Sequence, residues 1–80
     1  MSKLVSRSIR HIGPTKEEIM AAKDNGDEIT LGEDKHVVTG FTKLPASEWS
    51  WGIMTKTDGH KYIGDYNSHT QAVHLRLNDN

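Results

Sequence analysis

Hydrophobic positions in this chain fall in short runs of period two, interrupted once by a segment with helix-boundary signals, and that pattern predicts a small antiparallel sheet with a helix on it. From Lys3 to Ile12, Val5 and Ile9 share one parity while Leu4, Ser6, Ser8 and Arg10 hold the other, which reads as a strand with a basic face. Gly13-Pro14 ends that strand. Thr15 then stands three residues before Glu18, the spacing at which a hydroxyl and a carboxylate cap a helix start reciprocally. Glu17 and Glu18 in the first turn suit the positive end of a helix dipole. The helix should run to Lys23 or Asp24 and stop at Asn25-Gly26, burying Ile19, Met20 and Ala22.

Short strands follow. Glu28 to Leu31 sets Ile29 and Leu31 on one face, and Lys35 to Phe41 sets Val37, Thr39 and Phe41 on one face, with Gly32-Glu33-Asp34 as the turn between. Thr42 to Glu48, which holds Pro45, reads as a loop. Asp58-Gly59 between two β-like runs is the favoured pair for a two-residue type I′ turn, where both central residues need positive φ. That turn sets Thr57 opposite His60, Thr55 opposite Tyr62, Ile53 opposite Gly64 and Trp51 opposite Tyr66. One face then gathers Trp51, Ile53, Tyr62 and Tyr66, while the other pairs Met54 with Ile63 and Lys56 with Lys61. In the tail, Val73 to Leu77 alternates as a strand does, whereas Ser68 and Gln71 have the spacing of a second helix cap. The expected fold is α+β, a small antiparallel sheet of about four to six short strands packed by one or two short helices, with residues 1–80 as one domain.

Composition narrows the setting. Leu, Ile, Val and Phe number 16 of 80, a thin supply of core, but a formal charge of −1 removes the self-repulsion that keeps such chains unfolded. A core of this size supports about 3 to 5 kcal/mol of stability, so dimerisation or a bound partner is a natural supplement. Cysteine is absent, which excludes disulfide scaffolds and thiolate zinc sites, and no apolar run is long enough for a membrane span or a secretory leader. A cytoplasmic setting is therefore expected. Charge is unevenly placed: residues 1–16 carry +4, residues 17–34 carry −6 and the remainder +1. Such a distribution either complements itself within the fold or steers a charged partner.

Candidate chemistry is sparse. Five histidines, His11, His36, His60, His69 and His74, lack the i, i+4 or i, i+2 spacings of metal ligands, and no metal or cofactor is expected. Ser68, His69 or His74 and Asp65 could be nominated as a triad, but nothing resembles a nucleophile elbow. No glycine pattern builds a phosphate loop. The aromatic hairpin is the better candidate: Trp49, Trp51, Tyr62 and Tyr66 with Lys56 and Lys61 could stack bases and meet phosphates, or present anchors to a protein. Arg7 and Arg10 extend the basic surface, and Trp49, beside the Pro45 loop, is the tryptophan expected to be partly exposed.

These readings lead to a non-catalytic protein-binding regulator or inhibitor using Trp49, Trp51, Tyr62, Tyr66, Lys56, Lys61, Arg7 and Arg10. In size and composition the chain resembles the small standalone regulators that bacteriophages and other mobile elements encode against host machinery, a resemblance of composition that covers no specific residues. It implies a host enzyme or a transcription or defence complex as partner, with no membrane association and room for homodimerisation. The alternative is a nucleic-acid-binding accessory protein, which the near-neutral charge balance opposes.

Overall fold

The structure is a computed structural model that describes residues 8–78. Its elements, in chain order, are strand β1 (Ser8–Ile12), helix α1 (Lys16–Asn25), and strands β2 (Glu28–Leu31), β3 (Asp34–Lys43), β4 (Ser50–Thr57), β5 (His60–Asn67) and β6 (Ala72–Leu77). The six strands form one antiparallel sheet in the order β1-β6-β5-β4-β3-β2. Strands β2 to β6 are a meander, and α1 carries the chain from β1 at one edge to β2 at the other. The sheet is curled until it is nearly a barrel, and the fold is mostly β, roughly the expected α+β but with a larger, barrel-like sheet and a single helix. The part of the first expected strand before Ser8, including Arg7, lies outside the described residues.

Helix α1 begins and ends where its caps require. The Glu18 amide donates to Thr15 Oγ1 at 3.2 Å, the Glu18 carboxylate accepts from the Thr15 amide at 2.9 Å, and Gly26 closes the helix at φ 73°. Ile19 and Ala22 are buried, but Met20, expected in the same stripe, is 41% exposed. A ten-residue helix laid on a curved sheet contacts it along a narrow line, and Met20 falls outside that line.

The β4–β5 hairpin has the register expected of a two-residue turn: Thr57 faces His60, Thr55 faces Tyr62, Ile53 faces Gly64 and Trp51 faces Tyr66. Asp58 at φ 53° and Gly59 at φ 81° supply the two positive dihedrals. Strand β3 departs from its expected phase. His36 and Val38 face the core in its first half, not Val37 and Thr39, and a bulge between Val38 and Gly40 then turns Phe41 inward. One extra residue in a strand reverses the parity of everything after it, so no single alternating face describes this strand. The β2–β3 turn is also tighter than expected, since Leu31 pairs with Asp34 and only Gly32 and Glu33 form the loop.

Residues 72–77 are strand, and the cap-like spacing of Ser68 and Gln71 belongs to a turn. The Asn67 side-chain oxygen accepts from the amides of His69 and Thr70 at 2.8 and 3.0 Å, and the Gln71 amide returns to the Asn67 carbonyl. The core formed inside the curl contains Ile19, Leu31, Val38, Ile53, Tyr66, Val73 and Leu75, with Phe41, Trp51 and Tyr62 packed against it. Gly64 faces Leu75 across β5 and β6 with no room for a side chain, since a Cβ there would overlap the His74 carbonyl.

Candidate functional site

Alternation in β4 and β5 separates the sequence-derived candidates. Trp51, Tyr62 and Tyr66 point into the curl, whereas Lys56 and Lys61 stand on the outer face beside Met54 and Ile63. The combined aromatic and lysine platform is therefore not assembled on one surface. Arg10 lies in β1 opposite His74.

Tyr66 is a core residue, 1% exposed, and its hydroxyl donates to the Pro14 carbonyl at 2.6 Å, tying the β1–α1 connection to the sheet. Burial, then the nearby carboxylates of Glu17 and Glu18, push its pKa above the usual phenol value. Tyr62 is half-buried and packs edge-on against His36, ring centroids 5.4 Å apart. Trp51 is half-buried too, stacked on Phe41 with centroids 4.6 Å apart and planes within 8°, and the Lys16 ammonium lies 5.4 Å from its ring centre. A half-buried Trp51 with a cation on it is part of the wall rather than a free anchor.

Trp49 has the opposite character. It is 43% exposed and stands at the end of the 44–49 loop, where local hydrogen bonds hold the backbone. Its amide donates to Ser47 Oγ at 3.2 Å, and its carbonyl accepts from the Ser68 amide at 2.9 Å and from Ser68 Oγ at 3.3 Å. Lys43 caps the same loop by donating to the Leu44 and Ser47 carbonyls. The indole leans on His69, with centroids 5.0 Å apart and planes at 37°, and a cleft beside it is lined by Thr15, Lys16, Glu17, Ser68 and Gln71. The helix start, the β3–β4 loop and the β5–β6 turn thus converge on one exposed tryptophan.

His69, Lys16 and Phe41 are contributors that sequence reading missed. The hairpin register held a signal for His69: carried one pair beyond Ser50 and Asn67, it places Trp49 beside Ser68, next to that histidine. Phe41 reaches Trp51 as a diagonal neighbour across the β3–β4 pair, where Phe41 faces Ile53 and Lys43 faces Trp51, whereas Lys16 comes to it from the start of α1. Ser68 Oγ donates to the Trp49 carbonyl, and Asp65 faces His74 across β5 and β6.

A second surface lies on the outer face, where Gly40 and Gly52 leave a shallow apolar groove walled by Leu44, Met54 and Ile63 and flanked by Asp65 and Arg76. Among the described residues no helix is long and apolar enough to cross a membrane, and no group of three metal-ligating side chains forms. No family model, no curated protein and no solved structure matches the chain.

Proposed function

We propose that the domain is a non-catalytic protein-binding regulator that docks through the Trp49 corner. The observation that carries this reading is an indole 43% exposed on a backbone held by three hydrogen bonds. Exposing a tryptophan is costly in water, and a rigid one loses little entropy on binding, which is how hot-spot residues gain affinity. His69 supports one face of the ring, and the cleft between Trp49 and the start of α1 offers polar groups from Thr15, Glu17 and Gln71 around it. The partner is a protein with an apolar pocket for the indole and a polar rim, of the kind a host enzyme or a transcription or defence complex presents.

The test compares wild type with Trp49→Ala. Loss of the side chain should shift the thermal midpoint by only a few degrees, because the indole stands outside the core, with close to half of it exposed. A partner captured from lysate, identified and purified should bind the variant at least tenfold more weakly, a loss of about 1.4 kcal/mol or more. Equal affinity for both proteins would reject the corner as the docking site. Retention on single-stranded DNA that falls as salt rises would favour a nucleic-acid partner instead.

A further inference from the structure

The two edges of the curled sheet, β1 and β2, are not paired with each other; His11 stands on the β1 edge and His36 on β3, the strand next to the β2 edge. His11 on β1 lies against Gly32 in the β2–β3 turn, where even a methyl on that glycine would sit 3.2 Å from His11 Nδ1. His36, on β3, is opposite Ile29 of β2 and 1% exposed. Its Nδ1 is 2.9 Å from Thr55 Oγ1. Its Nε2, and both ring nitrogens of His11, are buried without a hydrogen-bond partner among the described residues. Buried polar atoms are nearly always paired, so three orphaned imidazole nitrogens at one seam are a concentrated exception.

We propose that His11 and His36 form an acid-sensitive latch across the β1–β2 seam, closed while both imidazoles are neutral and released when they take up protons. A neutral imidazole can be packed in an apolar wall, whereas a buried imidazolium without an acceptor cannot. The two rings also feel each other, so the second proton is harder to accommodate than the first. Burial lowers the pKa of both below the ordinary 6.5, and for His36 the carboxylate of Asp34 opposes that shift while His11 adds to it. The other groups packed around His36 are the uncharged Thr55 hydroxyl of β4 and the Tyr62 ring of β5. Helix α1 turns the apolar Ile19 and Ala22 inward, its Glu17, Glu18, Lys23 and Asp24 are exposed, and its Lys16 is at Trp51. From β6, His11 faces Val73, which is fully buried. Release frees the backbone edges of β1 and β2.

The sign follows from linkage. Where the folded pKa is depressed, the unfolded chain binds more protons, so stability is full above 6.5 and falls as pH drops below it toward the folded pKa values. The experiment follows each imidazole by NMR on the wild-type protein from about pH 8 to pH 5, with amide exchange and urea unfolding across the same range. Both histidines should titrate below 6.5, and exchange in β1 and β2 should accelerate before that of the β4–β5 hairpin. The unfolding constant should rise by up to about a hundredfold per pH unit, and His11→Phe should reduce this to about tenfold. Titration of both rings at or above 6.5 would overturn the latch. So would equal acceleration of exchange in all strands, or an unchanged slope in the variant. Should His11→Phe fail to fold, the wild-type titration and exchange decide the matter.

Discussion

Tyr66 shows how one side chain serves as both core and clasp. Its ring meets Phe41 edge-on at 5.6 Å, while its hydroxyl reaches the Pro14 carbonyl. Tyr66→Phe keeps the ring and leaves that carbonyl without its donor, which should cost about 1 kcal/mol in urea unfolding at neutral pH. Because its folded pKa is raised above 10, its contribution is fully present below that pH and is lost as pH rises through the folded value. Urea midpoints for wild type should therefore fall on the alkaline side of pH 10, and those of Tyr66→Phe should fall less. Parity in the hairpin already placed Tyr66 with Trp51 and Ile53, so its inward side was legible in sequence. Its partner was not, since Pro14 is 52 residues away and meets it only after β1 pairs with β6.

Local chemistry decides the elements, and it was legible wherever that chemistry is short-range. The Thr15–Glu18 cap, the Gly26 stop and the Asp58-Gly59 turn each involve neighbours within a few residues, and each forms as the residue types imply. Thr15→Ala removes one acceptor from the first turn of α1 and should lower stability by about 1 kcal/mol, read as a shift of the urea midpoint at constant slope. Strand β3 escaped the same logic. Its bulge at Thr39 arises because both halves must bury residues of opposite parity, His36 and Val38 before it and Phe41 after it. The Thr39 hydroxyl donates to the Met54 carbonyl at 3.3 Å within that irregularity. An alternating pattern with one insertion looks the same in sequence as a poorer pattern without one, so neighbouring residues alone do not reveal it.

At the scale of the whole molecule, the two tryptophans separate folding from binding. Trp51 is stacked on Phe41 under Lys16, so Trp51→Ala should cost on the order of 3 kcal/mol, most of the stability of so small a core. Thermal melts should therefore show Trp51→Ala largely unfolded at 37 °C under conditions where Trp49→Ala remains folded. How Trp51 became wall, stacked on Phe41 under Lys16, depended on the tertiary fold, since both tryptophans belong to the same short stretch, two residues apart. The sequence by itself determined the helix and its caps, the strands β2 to β5, the β4–β5 register and the expected exposure of Trp49 beside the Pro45 loop, because period, turn residues and caps act over a few bonds, whereas residues 72–77 became strand only on pairing with β5 and β1. Only the tertiary structure decided that β1 closes on β6, that Lys16 covers Trp51 and that His11 comes near enough to His36 to weigh on its charge. Those contacts join residues distant in sequence through the curvature of the sheet, and curvature is a property of all six strands packed together.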